Sequence, residues 1–466
     1  MAARLRNIDY DTPLLLPPNL RDWVPANHLA HFILDVVAEL ELRAFKVNDR
    51  GTGSAQYPPS MLLALLLYGY ATGVFSSRRI EQATYDSVPV RMICGDTHPD
   101  HDTICTFRRQ NKELINEAFV RLLELAQQLG FLQVGQVGVA VDGTKVMANA
   151  SKHAAVSYEH AGKAIEQLEL EVKQLLEKAE QADSTPLQDG LSIPEEVQRR
   201  EQRKAKLAQA RAEIEARARA RAAADMAEYK EKLEQRAQRQ AAGETVRGPE
   251  PKAPSEQPKP SDQYNFTDPE SRIMKAGSGQ HFEQSYNGQA AVELESRLIV
   301  GERASQAPND KEELAPTVAA IVPVVSVGAV LVDSGFFSEQ AVQSVEQAPS
   351  GEPSGIVVYA AVEKTSHHRT VADLEKKPKP EPLAQGASVS EVMKRRMQTA
   401  SGKALYKFRQ ETVEPVFGII KSVIGFRQFL LRGLAKVSLE WQLVCLSYNL
   451  RRLHWSGAAA KLGAGS

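Results

Sequence analysis

The chain has 466 residues, 42% hydrophobic and 25% charged, the balance of a soluble globular protein long enough for two or three domains and at least one large core. With 57 Lys and Arg against 58 Asp and Glu the net charge is -1, which excludes a globally basic nucleic-acid binder and assigns any DNA affinity to local patches. Three scattered cysteines (Cys94, Cys105, Cys445), no CxxC pair and no apolar run longer than 61–67 exclude a disulfide framework, a zinc site and a membrane span, so a cytoplasmic protein without a membrane partner is expected.

Residues 1–130 read as helical, with helices predicted over 58–70, 76–87 and 103–129. Asp102 is the expected N-cap of the third, and Arg108, Arg109 and Lys112 lie on or near one face of it, as a phosphate-contacting surface or a solvated helix face. From Val134 the period becomes that of a strand, through VGQVGVAVDGTKVMANAS.

Composition then shifts. Residues 158–242 are rich in Glu, Gln, Lys, Arg and Ala, broken between Asp183 and Pro194. Ile165, Leu168, Val172, Leu175, Ala179 and Ala182 keep a 3-4 spacing, and a second run opens on the capping pattern Ser192-Ile193-Pro194-Glu195 and carries Leu207, Ile214, Met226, Tyr229 and Leu233. Two antiparallel helices in a coiled-coil hairpin arm are predicted. A Pro-rich linker, 243–263, follows and is expected to stay extended.

Strands are predicted over 284–292 and 297–302, a helix over 310–321, and strands in GAVLVDSG and at 356–363. Helices return near Val389 and run almost to Trp455, and 456–466 reads as a flexible tail. Three strands, a helix, two more strands and then helices make an α/β fold. That order matches a ribonuclease-H-like mixed sheet flanked by helices, here with an all-α N-terminal domain and a helical-hairpin arm inserted after the first strand.

Three acidic residues stand out. Asp142 and Asp333 each close an apolar, β-branched run, so both carboxylates are expected at the C-terminal ends of buried strands, with Gly143 and Gly335 beside them allowing close approach. Each alone is more often a turn former. Glu414 precedes Pro415, which puts both in the first turn of a helix that Thr412 caps, and Lys421, two turns on, returns to the face of Glu414. Carboxylates from two strands and a helix can converge on a pair of magnesium ions, about 3.5 to 4 Å apart, and suit phosphodiester chemistry. His367 and His368 are read as surface or DNA-adjacent residues, because such a mechanism needs no histidine.

VAVDGTKVMANASK, YNGQAAV, LVDSGFFS and YKFRQETVEPVFGIIK together resemble the catalytic domain of bacterial insertion-sequence DDE transposases. YPPSMLLALLLYGYATGVFSSRRIEQATYDS, followed by PDHDTICTFRR, resembles the helical N-terminal domain of the InsH-like group. The resemblance implies catalytic, metal-binding roles for Asp142, Asp333 and Glu414, and contacts of Tyr406, Arg409 and Lys421 with transposon-end DNA. Four residues separate Arg409 from Glu414 where the family has three, which turns Arg409 to a different face; Glu411, the rival acid, has the wrong spacing to Lys421. Arg427, Arg432 and Lys436 add local positive charge.

The expected domains are 1–130 for DNA binding, 131–157 with 264–455 for catalysis, the arm 158–242, the linker 243–263 and the tail 456–466. The expected function is binding of terminal inverted repeats with metal-dependent strand cleavage and transfer, using two Mg2+ ions or Mn2+ in their place. Double-stranded DNA, as transposon ends and target, is the expected partner of a homodimer or larger assembly at the nucleoid. The competing expectation is a catalytically inactive DNA-binding protein derived from a transposase.

Overall fold

A computed structural model describes residues 19–40, 42–43, 56–182, 192–241, 250–276, 281–348, 350–362 and 386–462. The chain divides into two compact units, Met1–Met147 with Tyr286–Ser466, and Ala148–Ser285.

Among the described residues the first unit opens with a 3-10 turn (Leu20–Trp23) and six α-helices: α1 (Leu29–Glu39), α2 (Pro59–Ala71), α3 (Ser77–Asp86), α4 (Val88–Ile93), α5 (His101–Gln110) and α6 (Lys112–Gln128). Helix α2 starts on a proline, whose missing N–H costs nothing at that position, and buries every residue from Leu62 to Ala71. The helix expected over 103–129 is two. Asn111 leaves helical geometry (φ -110°, ψ 44°) and its side chain donates to the Phe107 carbonyl at 3.0 Å. Asp100, not Asp102, caps α5, accepting from the Thr103 N–H at 2.6 Å, while Asp102 lies in the first turn where a carboxylate meets the helix dipole.

Strand β1 (Gln136–Met147) runs twelve residues and does not end at Asp142, because the branched Thr144 and Val146 carry the pleat onward into buried space. The first unit resumes within β5 (His281–Glu293), followed by β6 (Ile299–Ser305), α9 (Leu314–Ala319), β7 (Ser326–Val332), α10 (Glu339–Glu346) and β8 (Val357–Ala360). Then follow α11 (Val389–Gln398), α12 (Ala400–Gly418), a π-helical turn (Ile419–Val423), α13 (Leu434–Trp455) and α14 (Ala458–Leu462). The helix expected over 310–321 contracts to α9, and α14 replaces the expected flexible tail up to Leu462: Ala458 is fully buried and the Lys461 ammonium donates to the Leu129 carbonyl at 2.7 Å.

In this unit the sheet has the order β6-β5-β1-β7-β8. Strands β5 and β6 pair antiparallel, β7 is parallel to β1, and β8 is parallel to β7. Strand β5 runs antiparallel to β1, with Leu294 opposite Gly138 and Gln284 opposite Ala148. Helix α13 packs along the sheet with thirteen buried residues. Its Trp441 lies flat over Gly288, where a Cβ would come within 2.9 Å of the indole, and donates to the Gln289 carbonyl at 3.0 Å. The outer strand β6 has its own solution for an unpaired backbone: Asn449 of α13 both accepts from and donates to Ile299, at 2.8 Å each way. Phe426, Phe429 and Trp441 fill the core beneath with tilted and edge-on contacts.

Glu302 of β6 has a buried Oε2 with no hydrogen-bond partner, and burial pushes its carboxyl up to about 8 against the opposing pull of Lys112. A raised folded-state pKa contributes stability that is complete below the ordinary carboxyl range and is lost as pH rises through 8. Glu302→Gln is therefore expected to stabilise the protein by about 1–2 kcal/mol at pH 9 and not at pH 4.5, as read by thermal melting. An equal shift at both pH values would exclude a buried neutral carboxyl.

The second unit contains β2 (Ala155–Ser157), α7 (Tyr158–Ala182), α8 (Ile193–Ala241), β3 (Gln263–Asn265), β4 (Arg272–Ala276) and the first residues of β5. Helices α7 and α8 run antiparallel: Arg200 pairs with Glu171 at 2.8 Å, while Tyr158, at the other end of α7, donates to Glu215 at 2.8 Å. Leu168, Leu207 and Ile214 of the expected seam are buried together, with Ile165 packed against them and Val156 and Tyr264 of the β2–β3 pair closing the cluster. Helix α8, at 49 residues, outruns the 25 of α7. Residues 250–262 carry no helix or strand, and β4 pairs antiparallel with the start of β5. Among the described residues no helix is long and apolar enough to cross a membrane.

Candidate active site

The parallel register of β1 and β7 pairs Ala140 with Leu331, so two residues further on Asp142 stands beside Asp333 on the same face of the sheet. Asp142 lies within its strand, whereas Asp333 follows the last residue of β7 and enters a turn, as expected. Each carboxylate is oriented by its own chain. Asp142 Oδ1 accepts from the Gly143 N–H at 2.8 Å, and Asp333 Oδ1 accepts from the Gly335 N–H at 2.7 Å. A Cβ on Gly335 would sit 2.9 Å from the Asp333 carboxylate, so glycine keeps that carboxylate open.

Burial pushes the Asp142 carboxyl up to about 7. The Gly143 N–H and the Arg409 guanidinium pull it back down, and the neighbouring carboxylates of Asp333 and Asp310 raise it further. An added cation would relieve this crowding of negative charge.

Glu414 lies inside α12 and not at a helix head. The helix starts at Ala400, capped by Thr399, and accommodates Pro415 in its interior, with Thr412 donating to the Phe408 carbonyl at 2.6 Å instead of capping. The side chain of Glu414 is 59% exposed. Arg409 of the same helix, nearly buried, reaches Asp142 Oδ2 at 3.5 Å and Glu414 Oε1 at 3.9 Å. The displaced spacing of Arg409 thus brings its guanidinium between two of the three acids. Its Nε is buried with no hydrogen-bond partner. Tyr406 completes the group, hydrogen-bonded to Arg409 and close to Asp333, its hydroxyl pKa raised by burial.

Two hard carboxylates side by side fit a divalent cation. The third is joined to them only through Arg409, and among the described residues no three His, Cys, Asp or Glu side chains gather closely enough to hold a metal ion. The arrangement therefore places two aspartates side by side, with Arg409 between Asp142 and Glu414.

Lys421 does not return to the face of Glu414 along a regular helix. It lies in the π-helical turn, and its ammonium donates to the Lys145 carbonyl of β1 at 2.9 Å. Burial lowers its pKa. Arg427 donates to the Lys421 carbonyl at 3.0 Å.

Arg108 corrects the sequence reading more sharply. It is buried, not a surface cation: its guanidinium donates to Tyr70 Oη at 3.0 Å, and Tyr70 donates to Glu440 of α13 at 3.2 Å. Arg109 is exposed and donates to Thr106 at 3.2 Å. His367 and His368 lie outside the described residues. Sequence reasoning missed Lys145, Asn287, Gln289 and Asp310, which gather behind Asp142. The available signal was the alternate polar pair in YNGQAAV, two amides on one face of a strand otherwise apolar enough to be wholly buried.

Two family models match the chain: "Transposase domain (DUF772)" over residues 18–110, and "Transposase DDE domain" over residues 376–454, which includes Tyr406, Arg409, Glu414 and Lys421. Neither curated proteins nor solved structures give a match. The two family matches fall at opposite ends of the chain and agree, and together they support an insertion-sequence DDE transposase.

Proposed function

We propose that the protein binds the terminal inverted repeats of its own insertion sequence, cleaves at the element ends and joins the freed 3'-hydroxyl to target DNA in a metal-dependent reaction. The observation that carries this reading is the strand register that brings Asp142 beside Asp333. The order β6-β5-β1-β7-β8, with one antiparallel side and one parallel side, supports a ribonuclease-H-like sheet.

A bound pair of divalent cations, Mg2+ or Mn2+, would supply an activated water and neutralise charge at phosphorus and the leaving oxygen. Asp142 and Asp333 would hold the cations, and Glu414 would join them if the Arg409 side chain moved off it. Arg409 is then free to take a DNA phosphate in a bidentate contact, with Tyr406 steadying it. Residues 1–130, with Arg109 exposed, recognise the ends; 131–157 and 264–455 carry the chemistry; the arm 158–242 serves assembly. Two element ends must meet, so at least a dimer works on the DNA, in the cytoplasm at the nucleoid.

The test is cleavage of duplex DNA carrying the inverted repeat that flanks the gene. Cleavage is expected with Mg2+ or Mn2+ and absent in EDTA; no cleavage in either, or equal cleavage in both, contradicts the reading. Lys421→Ala is expected to weaken end binding and to lower the slope of log K against log salt by about 1. An unchanged slope would remove Lys421 from the phosphate contacts.

A further inference from the structure

Gly143 and Lys145 alternate with Asp142 along β1 and face the opposite side of the sheet. The antiparallel pairing with β5 brings them alongside Gln289 and Asn287. Both amides are fully buried, and both donate to one oxygen of Asp310, Asn287 at 2.6 Å and Gln289 at 2.7 Å. The Lys145 ammonium stands 3.5 Å from that same oxygen, a charge contact and not a hydrogen bond.

The group closes directly behind the metal-site strand. A Cβ on Gly143 would fall 2.4 Å from Gln289 Nε2, 2.7 Å from Asp310 Oδ1 and 2.8 Å from Asn287 Oδ1, so only glycine admits the three side chains. Lys145 Nζ, Asn287 Oδ1 and Gln289 Oε1 are buried without a hydrogen-bond partner, which marks the group as more than a satisfied structural network.

We propose that Asp310 is a positioning residue for the cation site: fixed by Asn287 and Gln289 in the notch of Gly143, it puts a second tier of negative charge behind Asp142, and Lys145 trims that charge. This rests on the metal-dependent reading above. Outer-tier carboxylates raise the cation affinity of the ligands they support, and their loss commonly costs about ten- to a hundredfold in metal affinity. Asp310 and Lys145 carry opposite charges at the same place, so their substitutions should act in opposite directions on a cation bound at Asp142. A role confined to packing would make both act alike.

The experiment is titration of the full chain with Mn2+, bound ion being followed by electron paramagnetic resonance, with thermal melting of each variant as a check on folding. Asp310→Asn, which keeps an acceptor oxygen for the two amides, is expected to weaken Mn2+ binding by about tenfold. Lys145→Met is expected to leave binding unchanged or tighten it. Failure of the unsubstituted protein to bind Mn2+ would sink the metal-dependent reading itself. If it binds and Asp310→Asn stays within about twofold of it, or both variants weaken binding together, the assignment of Asp310 is overturned while the metal site stands.

Discussion

Asp142→Asn and Asp333→Asn should each abolish metal-dependent cleavage of end DNA, by about three orders of magnitude or more, with end binding within a few-fold of the unsubstituted protein. Asparagine keeps the shape and the oxygen that accepts from Gly143 or Gly335, so the local turn survives. What is lost is the charge that would hold a cation. At Asp142 the ion pair with Arg409 is lost as well, and Arg409 can then move toward DNA phosphate, so any change in binding should be toward tighter association. Gel assays of cleavage and mobility on the same duplex separate the two effects. Full cleavage by either variant removes that residue from the reaction.

Arg108→Met should destabilise the protein by about 3–5 kcal/mol. Arg108, Tyr70 and Glu440 form a buried chain, and the Glu440 carboxylate also accepts from the Leu430 and Leu431 N–H groups at 3.0 and 2.9 Å. Removing the cation leaves a carboxylate out of water with only neutral donors among these partners, and burial already raises its pKa. Arg109→Ala, one residue along and exposed, should cost within about 0.5 kcal/mol. Denaturant titration compares the two. Equal costs would mean that Arg108 does not tie α5 to α13.

Much of this architecture is legible in the residues. The β-branched runs around Asp142 and Asp333 announce strands because alternation and branching report a pleated, buried surface, and the register of β1 and β7 makes those two acids neighbours. Glu414 was misplaced for a physical reason. Proline argues locally for a helix start, yet a nineteen-residue helix held by its cap at Thr399 and by packing of Val413 and Val416 absorbs the lost hydrogen bond. Arg108 was misread because a cation on an amphipathic helix looks solvated until its partners appear, and Tyr70 and Glu440 are 38 residues upstream and over 300 downstream. Asp310 was invisible for the same reason: its partners come from two other segments, β1 and β5, and only the fold assembles them.

A cation shared by Asp142 and Asp333 can be mapped directly on the polypeptide. Ferrous ion substituted for magnesium, with ascorbate and peroxide, generates hydroxyl radicals that cut the polypeptide only near the bound metal. Fragments are expected from cuts close to both residue 142 and residue 333, suppressed together by excess Mg2+ and lost in Asp142→Asn. Cuts near one of them alone, or at neither, would contradict it.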